Sequence, residues 1–267
     1  MNILLQLTTQ GHESDWRIYD FSRLREILQN DGHCVVARER QPGPDGSDPV
    51  LSSIDAGSFD QLWLIAVDSG NALSPRDVRA ILRFRERGGG VLSARDRESA
   101  GTSLLNLGTL GAVNHFKAYN RAPSLGAQRL AGSGLGFRRV VPLEPVHEVL
   151  RSGNSPSGVI EYFPAYSSEV SISVPRYTPY ARAIAASDGG EGAGRFTLAI
   201  AIENEPSGDG APCGPAIALS SIDHFADSGW ALIDDARGLE MCKDYVRNIA
   251  RWLGKRRVQN SSTVDCA

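Results

Sequence analysis

Residues 61–94 constrain this chain more than any other stretch. Residues 61–67 read Gln-Leu-Trp-Leu-Ile-Ala-Val, an almost unbroken apolar run. A run of that length suits a strand buried on both faces, as in the middle of a parallel sheet. A helix start follows. Ser74 suits the N-cap, Pro75 the first turn, and Asp77 the positive end of the helix dipole. Val78, Ile81, Leu82 and Phe84 carry the helix on, Gly88-Gly89-Gly90 ends it, and Val91-Leu92-Ser93-Ala94 reads as the next strand. Strand, helix and strand in that succession imply parallel pairing through a right-handed crossover.

The same alternation extends in both directions. Residues 3–8 read as a first strand, and Phe21, Leu24, Ile27 and Leu28 share one face of a helix that Asp31-Gly32 stops. Residues 33–38 read as a second strand, in which Cys34 is expected to be buried and unreactive. Residues 41–48 are rich in Pro, Gly and Asp and read as a surface loop. Near the other end, residues 196–202 and 216–222 read as strands joined in the manner of a hairpin, and residues 239–253 as a last helix. The centre is less regular. Residues 99–116 read as one Gly-interrupted helix or two short ones, residues 146–150 as a helical turn, and residues 159–174 and 180–186 as short strands. No linker sets this centre apart. Residues 1–258 are therefore read as one domain, with an insertion or a small antiparallel extension of the sheet over 99–195, and residues 259–267 as a polar tail.

Composition narrows the function classes. A formal net charge of -3 argues against non-specific nucleic-acid binding, which needs a basic stripe. The one dense basic run, Lys255-Arg256-Arg257, suits a solvated helix end. No apolar run approaches a membrane span, and the opening residues lack the basic start of a signal peptide. Cys34, Cys213, Cys242 and Cys266 include no C-x-x-C pair, so neither a zinc knuckle nor a redox dithiol is indicated. A reduced, cytoplasmic protein is the expectation, with a homo-oligomer left open.

In an open parallel sheet, ligands bind beyond the carboxyl ends of the strands, near the point where strand order reverses. That rule selects His12 after the first strand, Asp68 and Ser69 after the third, Arg95 and Asp96 after the fourth, and Asp223 and His224 after the last. Each also has a structural reading. Asp68-Ser69-Gly70 suits a turn, Asp96 a helix cap, His12 an exposed loop, and His224 a hydrogen-bonded core position. In the functional reading Asp96 and His224 form an acid/base pair, and His12, Asp68, Ser69, Arg95 and Asp223 contact substrate. A divalent metal, zinc or iron, held by His12, Asp96 and His224 is a variant of that site.

Three segments carry a family resemblance. They are Ile3 to Thr8 followed by Gly11-His12, then Phe59-Asp60-Gln61-Leu62-Trp63-Leu64-Ile65 with Leu73-Ser74 and Phe84 through Gly88-Gly89-Gly90-Val91-Leu92, and Gly214 through Asp223-His224-Phe225. The chain resembles the class I glutamine amidotransferase-like superfamily, and within it the trehalose-utilisation (ThuA-like) branch. The resemblance implies a three-layer α/β fold with a mainly parallel, flavodoxin-like sheet flanked by helices. True amidotransferases place a nucleophilic cysteine in the turn after the fourth strand, activated by a histidine after a late strand. His224 matches the histidine. The turn itself reads Ala94-Arg95-Asp96-Arg97-Glu98 and has no cysteine, and Cys213 precedes the late strand. Glutaminase activity is therefore not expected.

The preferred reading is a small-molecule enzyme acting on a polar metabolite through Asp96 and His224, because a binding-only module has little need of paired His and carboxylate groups at strand ends. The alternative is a non-catalytic module binding a metabolite or another protein. A helper subunit for a neighbouring enzyme or transporter is a third option. Fold alone does not separate them.

Overall fold

The computed structural model describes residues 1–10, 13, 15–70, 72–96, 100–115, 118–119, 135–166, 170–187 and 195–261. The first half alternates strand and helix: β1 (Asn2–Leu7), α1 (Ser22–Asn30), β2 (Cys34–Glu39), β3 (Gln61–Ala66), α2 (Pro75–Glu86) and β4 (Gly90–Arg95). A short α3 (Gly108–Val113) follows, then β5 (Ala118–Tyr119), β6 (Leu135–Arg139), β7 (Val141–Pro142), β8 (Tyr162–Tyr166) and β9 (Val170–Ser171). The last part holds β10 (Ala181–Ser187), β11 (Phe196–Ile202), β12 (Ala216–Leu219), α4 (Asp227–Trp230) and the long α5 (Ala236–Ser261).

The main sheet has the order β2-β1-β3-β4-β12-β11-β10-β7. Its first five strands pair in parallel, and β11, β10 and β7 complete it in antiparallel fashion. The parallel part follows the flavodoxin-like pattern, with the reversal of strand order between β1 and β3. Two short antiparallel pairs, β5 with β9 and β6 with β8, form sheets of their own, and the bridge from Ile172 to Thr197 ties the first of them to β11. Within the central region, β7 and β10 extend the main sheet in antiparallel fashion.

Helices cover both faces. Leu5, Leu7, Trp63, Ile65, Leu92, Ala94, Ile217 and Leu219 pack with Leu24 and Leu28 of α1 and Val246 and Ile249 of α5. Leu4, Leu62, Leu64, Val91 and Ala218 pack with Ile81 and Phe84 of α2 and Leu110 and Val113 of α3. This division follows the strand period of two, which turns alternate side chains to opposite faces. Trp63 is held further by a polar chain. Its Nε1 donates to Gln61 Oε1 at 2.9 Å, and Gln61 Nε2 donates to the Ala250 carbonyl of α5 at 2.6 Å.

Two expectations are corrected. Cys34 is exposed rather than buried. It starts β2, which among the described residues pairs only with β1 and lies at the sheet edge, so its apolar residues are covered on fewer sides than those of a central strand. Burial pushes the thiol of Cys242 in α5 up to about 12. A thiol reagent applied to the folded protein is expected to label Cys34 rapidly and Cys242 only on unfolding, which peptide mapping checks. The late strand is also shorter than residues 216–222. It ends at Leu219, and Ser221 then caps a 3-10 turn at Ile222–His224, accepting from the Asp223 N–H at 3.1 Å.

Candidate functional site

The carboxyl ends of β1, β3, β4 and β12 form one edge of the sheet. At the reversal point between β1 and β3, Asp68 knits three segments together. Its Oδ1 accepts from Thr8 Oγ1 at 2.8 Å and from Ser103 Oγ at 3.0 Å, and its Oδ2 accepts from the Ser103 N–H at 3.2 Å. Thr8 Oγ1 in turn accepts from the Val67 N–H at 3.1 Å. The carboxylate of Asp68 is buried, and these bonds tie the strand ends to the turn at Thr102–Asn106. Ser69 next to it is exposed.

Arg95 closes the same side of the sheet. Its Nη2 donates to the Ala100 carbonyl at 2.9 Å and its Nη1 to the Asn114 carbonyl at the end of α3. The guanidinium is buried and holds the 100–114 segment against the strands. Asp96 continues the ladder, its N–H donating to the Ala66 carbonyl at 3.1 Å, and it is half-buried. The strand period places it in the row of Leu92 and Ala94, on the face of α1 and α5.

His224 lies on that face as well. Leu219 of β12 pairs with Ala94 of β4, so the loops carrying His224 and Asp96 leave neighbouring strands at one edge. The imidazole, however, is enclosed. His224 is 1% exposed, and its ring stacks on Phe163 of β8 at 4.4 Å and 30°. Tyr245 of α5 and Phe225 meet it edge-on at 6.4 and 6.5 Å. Its carbonyl accepts from Trp230 Nε1 at 2.8 Å. Asp223 is buried, and its Oδ2 accepts from Ser221 Oγ at 2.7 Å. The sequence-selected residues are thus split by the sheet, Asp68 and Arg95 on the α2/α3 face and Asp96 and His224 on the α1/α5 face. His12 lies outside the described residues. Among the described residues, no group of three or more His, Cys, Asp or Glu is placed to hold a metal ion.

A cavity of about 800 Å³ opens beside the first turn of α2, and nothing in the sequence singled it out. Arg40, Ser74, Arg79 and Asn106 line it together with prolines of the 41–48 loop. Arg40 follows β2, and its N–H continues the ladder to the Leu7 carbonyl at 3.1 Å. Its side chain runs inward, where Nη2 donates to Asp77 Oδ2 at 3.2 Å and to the Gly46 carbonyl. Asp77 belongs to the capping box of α2. Ser74 Oγ accepts from the Asp77 N–H, and Asp77 Oδ2 accepts from the Ser74 N–H. Asp48 anchors the base of the loop. Burial pushes its carboxyl up, but the Arg38 guanidinium at 2.6 Å and the N–H groups of Gln41 and Leu51 outweigh that and hold it below its ordinary value.

No protein-family profile matches the chain, and no curated protein does. Solved structures do. The chain is similar in fold to a ThuA-like protein. That structure, from Parabacteroides merdae, aligns with a TM-score of 0.52 at 14% identity over 95% of this chain and 90% of its own. The mmIFT52 N-terminal domain aligns with a TM-score of 0.55 at 12% identity over the whole of both chains. At such identities the likeness is one of fold. Among the described residues, no helix is long and apolar enough to cross a membrane.

Proposed function

We propose that this chain is a non-catalytic domain that binds a small polar metabolite, on a glutamine amidotransferase-like fold without glutaminase chemistry. The enclosure of His224 carries the reading. A general acid or base must come within hydrogen-bond reach of the proton it moves. A ring that is 1% exposed and stacked on Phe163 leaves a substrate no approach in this conformation. Asp68 and Arg95 support the same reading, because their side chains are bonded to the protein's own segments. A second reading, an enzyme with Asp96 and His224 as its acid/base pair, is favoured by their place on one face and after neighbouring strands.

Neither reading releases ammonia from glutamine, and the melting temperature of His224→Ala together with any turnover separates the two. Under the binding reading no turnover of a small molecule is found. His224→Ala then acts as a core truncation, lowering stability by about 2 kcal/mol and leaving ligand affinity per folded molecule unchanged. Turnover of any small molecule that vanishes in Asp96→Asn and in His224→Ala, with melting unchanged, would establish the enzyme instead.

A further inference from the structure

We propose that the cavity beside α2 binds a small phosphorylated or carboxylated metabolite, with the anionic group on Arg40 and the body of the ligand along the loop prolines. The inference deepens the binding reading above and rests on it. Its volume, about 800 Å³, lies in the range of small-molecule sites. The decisive group is Arg40. Only 7% of the residue is exposed, yet its Nη1 makes no hydrogen bond among the described residues. The two side-chain hydrogen bonds of Arg40 among the described residues both leave from Nη2. A guanidinium has five N–H donors in a planar fork, and buried polar groups are normally paired. Arg40 therefore lines the cavity and keeps, at Nη1, donor capacity that the described residues leave unmatched.

The surroundings favour an anion. Arg79 adds a second positive charge on the wall, and Ser74 places a hydroxyl at the N-terminus of a twelve-residue helix, where the dipole favours negative charge. The carboxylates nearby are already engaged. Asp77 accepts from Ser74, Asp48 and Arg40, while Asp45 accepts from Ser47 and lies 3.6 Å from Arg76. Pro42, Pro44, Leu73 and Val78 complete the lining with apolar surface, suiting an organic body rather than a bare ion.

Titration calorimetry of the intact chain with glucose 6-phosphate, glucuronate and glucose tests this, since the three share a sugar body and differ in charge. Binding of glucose 6-phosphate identifies a phosphate ester and binding of glucuronate a carboxylate. In either case glucose is silent and added salt weakens the complex. Arg40→Gln should weaken it about tenfold or more. Because Arg40 also pairs with Asp77, its melting is checked alongside, and the exposed Arg79→Gln reads the cavity with the fold undisturbed, weakening binding several-fold. Heat from neither charged sugar overturns the proposal. So does equal binding of glucose, or binding that neither arginine variant weakens. Turnover of a charged sugar that His224→Ala abolishes and Arg79→Gln does not would overturn the non-catalytic reading as well, by placing the ligand at the other face.

Discussion

Gly214→Ala is expected to cost the fold about 3 kcal/mol, roughly 6–12 °C in melting temperature for a domain of this size. The segment before β12 runs against the turn that ends α2. A Cβ added at Gly214 falls 2.0 Å from the Gly89 carbonyl oxygen, 2.6 Å from its carbon and 2.7 Å from the Gly88 carbon. All three are backbone atoms, so no side chain can turn away to make room. The segment is also fastened in place. The Gly214 N–H donates to the Arg85 carbonyl at 2.6 Å, Arg85 donates back to the Gly214 carbonyl at 3.1 Å, and the Val91 N–H donates to the Pro215 carbonyl at 3.0 Å. Relief of the clash must move the end of α2 or the start of β12, and both belong to the core. Gly208→Ala is the control. It sits on an exposed stretch with no atom within 4 Å of the added Cβ, and should stay within about 0.5 kcal/mol of wild type. Equal denaturation midpoints for the two variants would refute the packing argument.

The layered core was legible because its signals are local. Ser74-Pro75 before an apolar helix face, the glycines after Phe84 and the apolar runs of β1, β3 and β4 each state a boundary within a few residues. Burial of Cys34 was not legible for the opposite reason. The run His-Cys-Val-Val-Ala looks the same in a central strand and at an edge, and only the topology, in which β2 has a single partner, decides between them. The 41–48 loop shows the same limit. Its prolines and glycines imply a surface turn, but Asp48 within it is wholly buried through a pairing with Arg38, ten residues earlier and on a strand.

The candidate site divides along the same line. The strand-end rule selected Asp68, Arg95, Asp96 and His224 from local pattern alone, and the register of β4 with β12 makes the segments carrying the last two leave neighbouring strands. What lay beyond the sequence was the environment of each. Phe163, which covers the His224 ring, comes from β8 in the irregular centre, where no pattern ties it to the late strand. Arg40 had no signal either. Arg-Glu-Arg at the end of a strand reads as a solvated run, and only the fold turns one of its guanidinium groups inward onto Asp77.

That inward turn makes Asp77→Ala the most damaging single charge removal expected here, at about 3–5 kcal/mol. Asp77 is fully buried and joins three segments. Its Oδ1 accepts from the Asp48 N–H at 3.0 Å, and its Oδ2 from the Ser74 N–H at 2.9 Å and from Arg40 Nη2 at 3.2 Å. Alanine removes the acceptor from two backbone donors and leaves the Arg40 side chain, 8% exposed, without its counter-charge. Loss of the capping box alone would account for only about 1 kcal/mol. The excess is the buried charge, and a double-mutant cycle isolates it. Adding Arg40→Leu to Asp77→Ala removes the stranded guanidinium, so the pair should be less destabilised than the sum of the two single variants. Urea denaturation gives all four corners of the cycle. Additive costs, with Asp77→Ala near 1 kcal/mol, would show that Arg40 is hydrated through the cavity and that Asp77 serves the helix cap alone.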